Sequence, residues 1–117
     1  MTAADGDDSV EILLDGELDL ATYEQAARRV EHAERQEPAL LVIDLSRLTF
    51  VDSSGVRLVL LAHNRARAAK RRLAVRLGAG QTRRVFDALG LTDQLEVLPP
   101  RSADDVSTGS PPPGAQP

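Results

Sequence analysis

Hydrophobic positions along the chain alternate between strand-like and helix-like spacing. The run at residues 9–14 partly alternates apolar with polar side chains and predicts a strand, which the Asp-Gly pair at 15–16 closes as a turn. The continuous apolar run at 39–44 is typical of a strand buried on both faces at the centre of a parallel sheet. Two later runs, at 73–77 and 95–98, predict further strands.

Three stretches between these strands have helical spacing. Asp19 or Thr22 caps the first, where Gln25 completes a possible capping box with Thr22, and this helix ends near Gln36, before a proline. The second helix starts after residue 52, and the third covers 82–89, before a glycine. The predicted apolar positions are Leu20, Ala26, Ala27, Val30 and Ala33 in the first helix and Val56, Val59, Leu60 and Ala62 in the second.

Strands that alternate with helices indicate an α/β fold. We therefore expect one domain over residues 9–98, in which a largely parallel or mixed sheet of four to five strands is packed with helices. Residues 1–8 are expected to form a flexible N-terminus. Residues 99–117 hold six of the seven prolines together with Ser, Gly and Thr. Because this composition cannot bury a core, we expect a disordered Pro-rich tail.

The composition excludes several classes of function. There is no cysteine, so disulfides, thiolate catalysis and sulfur-ligated zinc are ruled out. The longest apolar runs have about five residues, against roughly 20 for a membrane-spanning helix. The acidic N-terminus lacks the basic start and apolar centre of a secretory signal, and we expect a cytoplasmic protein that does not bind membranes.

Charge is distributed unevenly. Residues 1–53 hold 13 acids and 4 bases (−9), residues 54–98 hold 9 bases and 3 acids (+6), and the tail adds one base and two acids (−1), which gives the net −4. The basic stretch comprises Arg65, Arg67, Lys70, Arg71, Arg72 and Arg76. It is suited to nucleic acid or to an acidic partner, but no groove-reading motif or interleaved aromatic residue accompanies it. We therefore favour a solvated helix face without direct binding of nucleic acid.

The Asp-Ser-Ser-Gly segment at residues 52–55 carries the most specific signal. Asp52, Ser53 and Ser54 are residue types that cap helices, and Gly55 allows another part of the chain to come close. A phosphate on a hydroxyl here would sit beside free backbone N–H groups at the positive end of the helix dipole. The segment is therefore a candidate phosphorylation switch, and the alternative is that it only caps the helix.

Four stretches of the sequence resemble the STAS domain, which sulfate transporters share with anti-sigma factor antagonists, and specifically the small bacterial antagonists. They are Gly-Glu-Leu-Asp at 16–19, Leu-Val-Ile-Asp-Leu at 41–45, Phe-Val-Asp-Ser-Ser-Gly at 50–55 and Val-Phe-Asp-Ala-Leu-Gly-Leu at 85–91. The stretches follow the order of the family and together span about residues 9–98. Their combination is far more specific than any one of them.

The resemblance implies a phosphoprotein that regulates bacterial transcription by partner switching and has no catalytic activity. In this family the unphosphorylated antagonist binds an anti-sigma factor that is a serine kinase, and so frees a sigma factor. The kinase uses ATP to phosphorylate the serine after the aspartate, here Ser53, and a serine phosphatase resets the protein. The implied partner-binding residues are Asp19, Asp52, Ser53, Ser54 and Gly55. We expect a monomer without metal or cofactor.

Other interpretations of these residues remain open. Ser54 is the alternative phosphoacceptor, although a cap or loop hydrogen bond is favoured for it. Glu17 and Asp19 could form a metal or acid–base pair, but turn and cap roles are favoured. His32 and His63 have no ligand spacing.

Two different functions also remain open. One is a non-switching STAS subunit of a larger transport or scaffold assembly. The other is a nucleic-acid binder that uses the basic helix.

Overall fold

The computed structural model of the protein describes residues 8–101. Its four strands are β1 (Ser9–Leu18), β2 (Leu40–Val51), β3 (Arg72–Arg76) and β4 (Glu96–Leu98), and its helices are α1 (Tyr23–Glu34), α2 (Ser53–Ala68) and α3 (Gln81–Ala88). A short 3-10 turn, Leu91–Asp93, precedes β4. Residues 1–7 and 102–117, on which most of the expected flexible N-terminus and Pro-rich tail fall, lie outside the described residues.

The strands form one parallel sheet in the order β1-β2-β3-β4, so each strand pairs with the next one along the chain. This confirms the predicted α/β fold, with four strands that are all parallel. Ile43 of β2 pairs with Ile12 on one side and with Val75 on the other, and both Ile43 and Val75 have no exposed surface. The predicted central position of β2 is therefore confirmed.

One face of the sheet carries the hydrophobic core. Buried side chains of α1 and α2 pack there together with alternate residues of the strands, and Phe86 of α3 is also fully buried in the same cluster. The helical members of the core are Ala26, Val30 and Ala33 of α1 and Val56, Leu58, Val59, Ala62 and Ala66 of α2. None of the helices within residues 8–101 has the length and apolar character needed to cross a bilayer.

β1 does not end where the sequence predicted. The expected turn at Asp15 and Gly16 is a bulge inside a longer strand, with shifts in register before Asp15 and after Gly16. Gly16 has φ of +77°, a backbone conformation that glycine adopts without steric cost. Because the irregular backbone is confined to the bulge, β1 pairs with β2 again after it, as far as Leu18.

β2 is also longer than predicted, and its length creates the principal feature of the fold. Its pairing with β3 ends at Asp44, but its pairing with β1 continues as far as Val51, opposite Leu18. The ends of β1 and β2 therefore project as a two-stranded ribbon beyond the rest of the sheet. Helix α3 packs against β2, and the ribbon leads directly into the start of α2.

The start of α1 differs from the predicted capping box. Thr22 is the N-cap, but its side chain makes no capping hydrogen bond with the helix, and its hydroxyl instead donates to the carbonyl oxygen of Glu17 at 2.9 Å. The helix ends at Glu34, two residues before the predicted Gln36. Leu20 precedes the helix and is 79% exposed, so its predicted place on the buried face of α1 is wrong.

Candidate functional site

The start of α2 is fixed by Asp52, which follows the last residue of β2 directly. Asp52 has an extended backbone and is the N-cap of the helix. Its carboxylate oxygen Oδ1 accepts hydrogen bonds from the backbone N–H groups of Ser54 at 2.8 Å and Gly55 at 3.2 Å. The carboxylate thus satisfies two of the N–H groups that an α-helix leaves without intrahelical partners.

Gly55 allows the first turn of α2 to press against the ends of β1 and β2. A Cβ atom at this position would lie 2.6 Å from Cγ2 of Val51 and 2.7 Å from Cγ of Leu18. Both distances are far inside normal van der Waals contact. Because no side chain fits, a glycine here holds the start of the helix against the two-stranded ribbon.

Ser53 is the first residue of α2, and it is exposed. Ser54 is half-buried in the same turn. A phosphate at this point was expected beside free backbone N–H groups, but the Asp52 carboxylate already accepts from those of Ser54 and Gly55. The hydroxyl of Ser53 therefore lies on the surface next to a negatively charged cap, where a second protein can reach it.

Asp19 lies at the end of the neighbouring strand. The backbone N–H of Asp52 donates to the carbonyl oxygen of Leu18 at 3.2 Å, so the segment that follows β1 runs beside the start of α2. The Asp19 carboxylate accepts hydrogen bonds from the N–H and the hydroxyl of Thr22, at 3.1 and 3.2 Å. Asp19 thus stabilises the turn between β1 and α1 and adds a second carboxylate on this side of the molecule.

A shallow apolar depression lies beside the serines. It has a volume of about 300 Å³, and the residues that line it are Leu20, Tyr23, Ser54, Arg57 and Leu61. Leu20 is 79% exposed and Leu61 37% exposed, although both are large hydrophobic residues. We call this surface the Leu20 depression. Apolar side chains exposed together beside a polar rim are typical of a protein-binding surface.

Sequence reasoning missed the Leu20 depression. Leu20 was assigned to the buried face of α1, and Tyr23 and Arg57 were not singled out. One signal was present: with Thr22 as the N-cap, Leu20 lies two residues before the cap and so precedes the helix. The leucine was therefore free to lie outside the helix.

The predicted basic stretch does not form a continuous positive surface. Arg65 pairs with Glu34 of α1 at 2.9 Å, and Arg72 pairs with Glu96 of β4. The Arg72–Glu96 hydrogen bond raises the pKa of Arg72 above its ordinary value. Arg76 turns towards β1, so three of the six basic side chains are neutralised by carboxylates.

Glu11 joins two of the arginines on the face of the sheet opposite the core. Its carboxylate lies 2.8 Å from Nε of Arg76 and 3.2 Å from a guanidinium nitrogen of Arg101. Partial burial raises the pKa of Glu11, but the hydrogen bonds and charges of Arg76 and Arg101 outweigh this effect and hold the pKa below its ordinary value of 4.5. Arg76 also donates to the carbonyl oxygen of Pro99 at 2.7 Å, which attaches the chain after β4 to this face.

No arrangement for metal binding is found in the part of the chain that the structure describes. Within residues 8–101, no group of three His, Asp or Glu side chains lies close enough to hold an ion. Glu17 is exposed in the ribbon, and its carbonyl oxygen accepts from Thr22. His32 is exposed in the last turn of α1, and His63 is half-buried in α2.

The chain is similar to known proteins in sequence and in fold. The family model described as the STAS domain matches residues 2–104. The unphosphorylated form of the anti-sigma factor antagonist SpoIIAA is 30% identical, with 90% of this chain and 92% of that chain covered and a TM-score of 0.66. The phosphorylated form of the Bacillus cell fate determinant SpoIIAA is 31% identical, with 84% and 89% covered and a TM-score of 0.61.

A third solved structure is similar in fold. An anti-sigma factor antagonist from Mycobacterium paratuberculosis is 24% identical, with 80% of this chain and 79% of that chain covered and a TM-score of 0.73. No curated protein sequence matches this chain.

Proposed function

The chain belongs to the STAS domain family, and on that basis we propose that it is an anti-sigma factor antagonist whose attachment to a partner is controlled by phosphorylation of Ser53. The unphosphorylated form binds an anti-sigma factor that is a serine kinase, and a sigma factor is released. Transfer of a phosphoryl group from ATP to Ser53 ends the binding, and a serine phosphatase restores it. The protein contributes no catalytic residue of its own.

The exposed hydroxyl of Ser53 at the first position of α2 is the observation that carries this proposal. The Asp52 cap and the close packing of Gly55 hold this position, so the hydroxyl is presented on a rigid helix end. The relatives support the same function, since solved structures of SpoIIAA represent both its phosphorylated and its unphosphorylated forms.

The Leu20 depression supplies the surface to which the partner binds. It adjoins the start of α2 through Ser54, and its large apolar side chains are exposed in the free protein. Burial of apolar surface gives about 25 cal/mol per Å², so docking here stabilises the complex. A phosphate on Ser53 then lies at the margin of the interface.

The charge of the phosphate is large enough to end the binding. Phosphorylation adds about −1.5 to −2 charge at neutral pH. Against an acidic group of the partner about 6 Å away, at an effective dielectric constant of about 20, each unit of charge costs roughly 2 to 3 kcal/mol. Each such loss lowers the affinity about 30- to 150-fold. By comparison, the helix dipole stabilises the free phosphorylated protein by only about 0.3 to 1 kcal/mol.

The test begins with capture of the partner from the cells that make this protein, with the Ser53→Ala variant as bait, since this variant cannot be released by phosphorylation. The captured kinase is then incubated with ATP and the wild-type protein, and the phosphate is located by mass spectrometry. Ser53→Asp should bind the kinase at least 10-fold more weakly than Ser53→Ala. Ser54→Ala is the matched control and should still be phosphorylated and released.

Other outcomes would support the alternative functions. Phosphate on Ser54 alone, or on neither serine, would contradict the assignment of Ser53. Stable capture of a transport complex, unaffected by ATP, would indicate the non-switching STAS subunit. Retention on DNA that decreases steeply with salt would indicate the nucleic-acid binder.

A further inference from the structure

We infer that Arg57 is the internal counter-ion of a phosphate on Ser53, and that in the unmodified protein the same guanidinium group is presented to an acidic group of the partner. This inference rests on the proposed function, because it assumes that Ser53 is the residue modified. It adds a residue that takes part in the switch and a chemical requirement on the partner.

The start of the helix offers a phosphate on Ser53 fewer free hydrogen-bond donors than a helix N-terminus usually does. The two backbone N–H groups that follow Ser53 in the first turn, those of Ser54 and Gly55, already donate to the Asp52 carboxylate at 2.8 and 3.2 Å. This carboxylate is itself an anion, on the residue adjacent to Ser53. The phosphate therefore meets occupied donors and a like charge where a helix N-terminus ordinarily offers free donors.

Arg57 supplies the missing positive charge. It lies four residues after Ser53 in α2, a spacing that places two side chains on the same face of a helix, one turn apart. The Cα–Cβ bonds of a helix tilt towards its N-terminus, so the side chain of Arg57 leans towards Ser53. The rise over four residues is about 6 Å, which a guanidinium group on its long side chain spans easily.

Arg57 is also available for this contact. Its side chain is exposed, and it has no ion-pair or hydrogen-bond partner among residues 8–101. Two other helical arginines are already paired at the same spacing, Arg28 with Glu24 and Arg83 with Asp87. Arg57 has no carboxylate at such a position, because residues 53 and 61 are a serine and a leucine.

The position of Arg57 links the two states to the partner. Among the residues that line the Leu20 depression, Arg57 alone carries a charge. An apolar depression with one exposed cation is complementary to an apolar side chain that lies beside a carboxylate. When the phosphate binds the guanidinium group, the partner loses this cation and meets the phosphate at the same time. Both effects weaken the complex.

The internal contact can be tested without a kinase. Phosphoserine is incorporated at position 53 during translation, and the second pKa of the phosphate is measured by phosphorus NMR at low salt. Replacement by Arg57→Gln should raise this pKa by about 0.2 to 0.4 units, the shift that corresponds to an ion pair of this spacing on a helix surface. Arg57→Lys keeps the charge and should retain most of the lowering.

Arg67→Gln is the matched control, since Arg67 is exposed on the same helix, 14 residues from Ser53 and so about 21 Å away. The pKa of the phosphate in this variant should equal that of the wild type. An equal pKa in the wild type and in Arg57→Gln would overturn the inference.

The contact with the partner has its own measurement. Unmodified Arg57→Gln should bind the captured kinase about 2- to 5-fold more weakly than the wild type, as expected for one charge pair at the margin of an interface. Phosphorylated Arg57→Gln should bind no more tightly than the phosphorylated wild type, because the guanidinium group is then occupied by the phosphate. Equal affinities of the unmodified proteins would overturn this half of the inference.

Failure of the proposed function is distinguishable from failure of the inference. If the protein with phosphoserine at position 53 binds the kinase as tightly as the unmodified protein, the phosphorylation switch is refuted. The NMR result for Arg57 does not depend on that outcome.

Discussion

Addition of one methyl group at Gly55 tests whether close packing fixes the start of α2. In Gly55→Ala the new Cβ would lie 2.6 Å from Cγ2 of Val51 and 2.7 Å from Cγ of Leu18, whereas carbon atoms in contact are normally about 3.5 to 4.0 Å apart. Each neighbour would have to move by about 1 Å. The two contacts lie on different strands, so the helix cannot avoid both by a small shift along one of them.

The expected cost follows from these overlaps. Insertion of a methyl group into a well-packed core destabilises a protein by about 1 to 3 kcal/mol. Alanine is a better helix former than glycine by roughly 0.5 to 1 kcal/mol, which acts in the opposite direction. We therefore expect Gly55→Ala to lower the free energy of unfolding by about 1 kcal/mol, the difference between the middle values of these two ranges.

Urea denaturation followed by circular dichroism measures this free energy. Gly80→Ala is the control, because Gly80 has no atom within 4 Å of an added Cβ and has φ of −92°. Because Gly80 is the N-cap of α3, where alanine is less favourable than glycine, this variant should lose about 0.5 kcal/mol through the cap alone, less than Gly55→Ala. A Gly55→Ala variant as stable as the wild type, or more stable, would refute the packing argument.

Two further predictions concern Glu11 and Leu20. Because the pKa of Glu11 is lowered in the folded protein, its stabilising contribution is complete above its ordinary value of 4.5 and disappears as the pH falls through the lower folded value. Glu11→Gln should therefore be less stable than the wild type at pH 7, by at most about 1 kcal/mol, with the difference in urea denaturation vanishing in acid; a constant difference would contradict the ion-pair explanation. Leu20→Ser should weaken binding to the captured kinase at least 5-fold and change the free energy of unfolding by less than about 0.5 kcal/mol, because Leu20 is 79% exposed, and unchanged binding would remove the Leu20 depression from the interface.

The periodicity of the sequence was sufficient to predict the order of elements and the α/β fold. The continuous apolar run that begins β2 identified the central strand, because a strand covered on both faces needs no polar alternation. The residues at which the strands end were less predictable. An Asp-Gly pair has the same composition in a turn and in a bulge, and only pairing with β2 distinguishes the two at residues 15–16.

The candidate site was predictable in its chemistry but not in its surroundings. Asp52 and Gly55 were identified from residue type alone, because capping and close approach are local properties. The occupation of helix N–H groups by the Asp52 carboxylate was not, since an aspartate at a helix start can hydrogen-bond in several ways. The neutralisation of Arg76 by Glu11 joins residues 65 positions apart, which no local pattern reveals.

The closure of the helix end by Asp52 has a consequence for how long a modified state lasts. The backbone N–H groups of Ser54 and Gly55 are not available to a phosphoryl group on Ser53, because they already donate to the Asp52 carboxylate. It would lie at the surface, paired with the Arg57 guanidinium group and open to a hydrolytic enzyme from outside. Dephosphorylation would then need no local unfolding, and its rate would be set by how often the protein meets that enzyme.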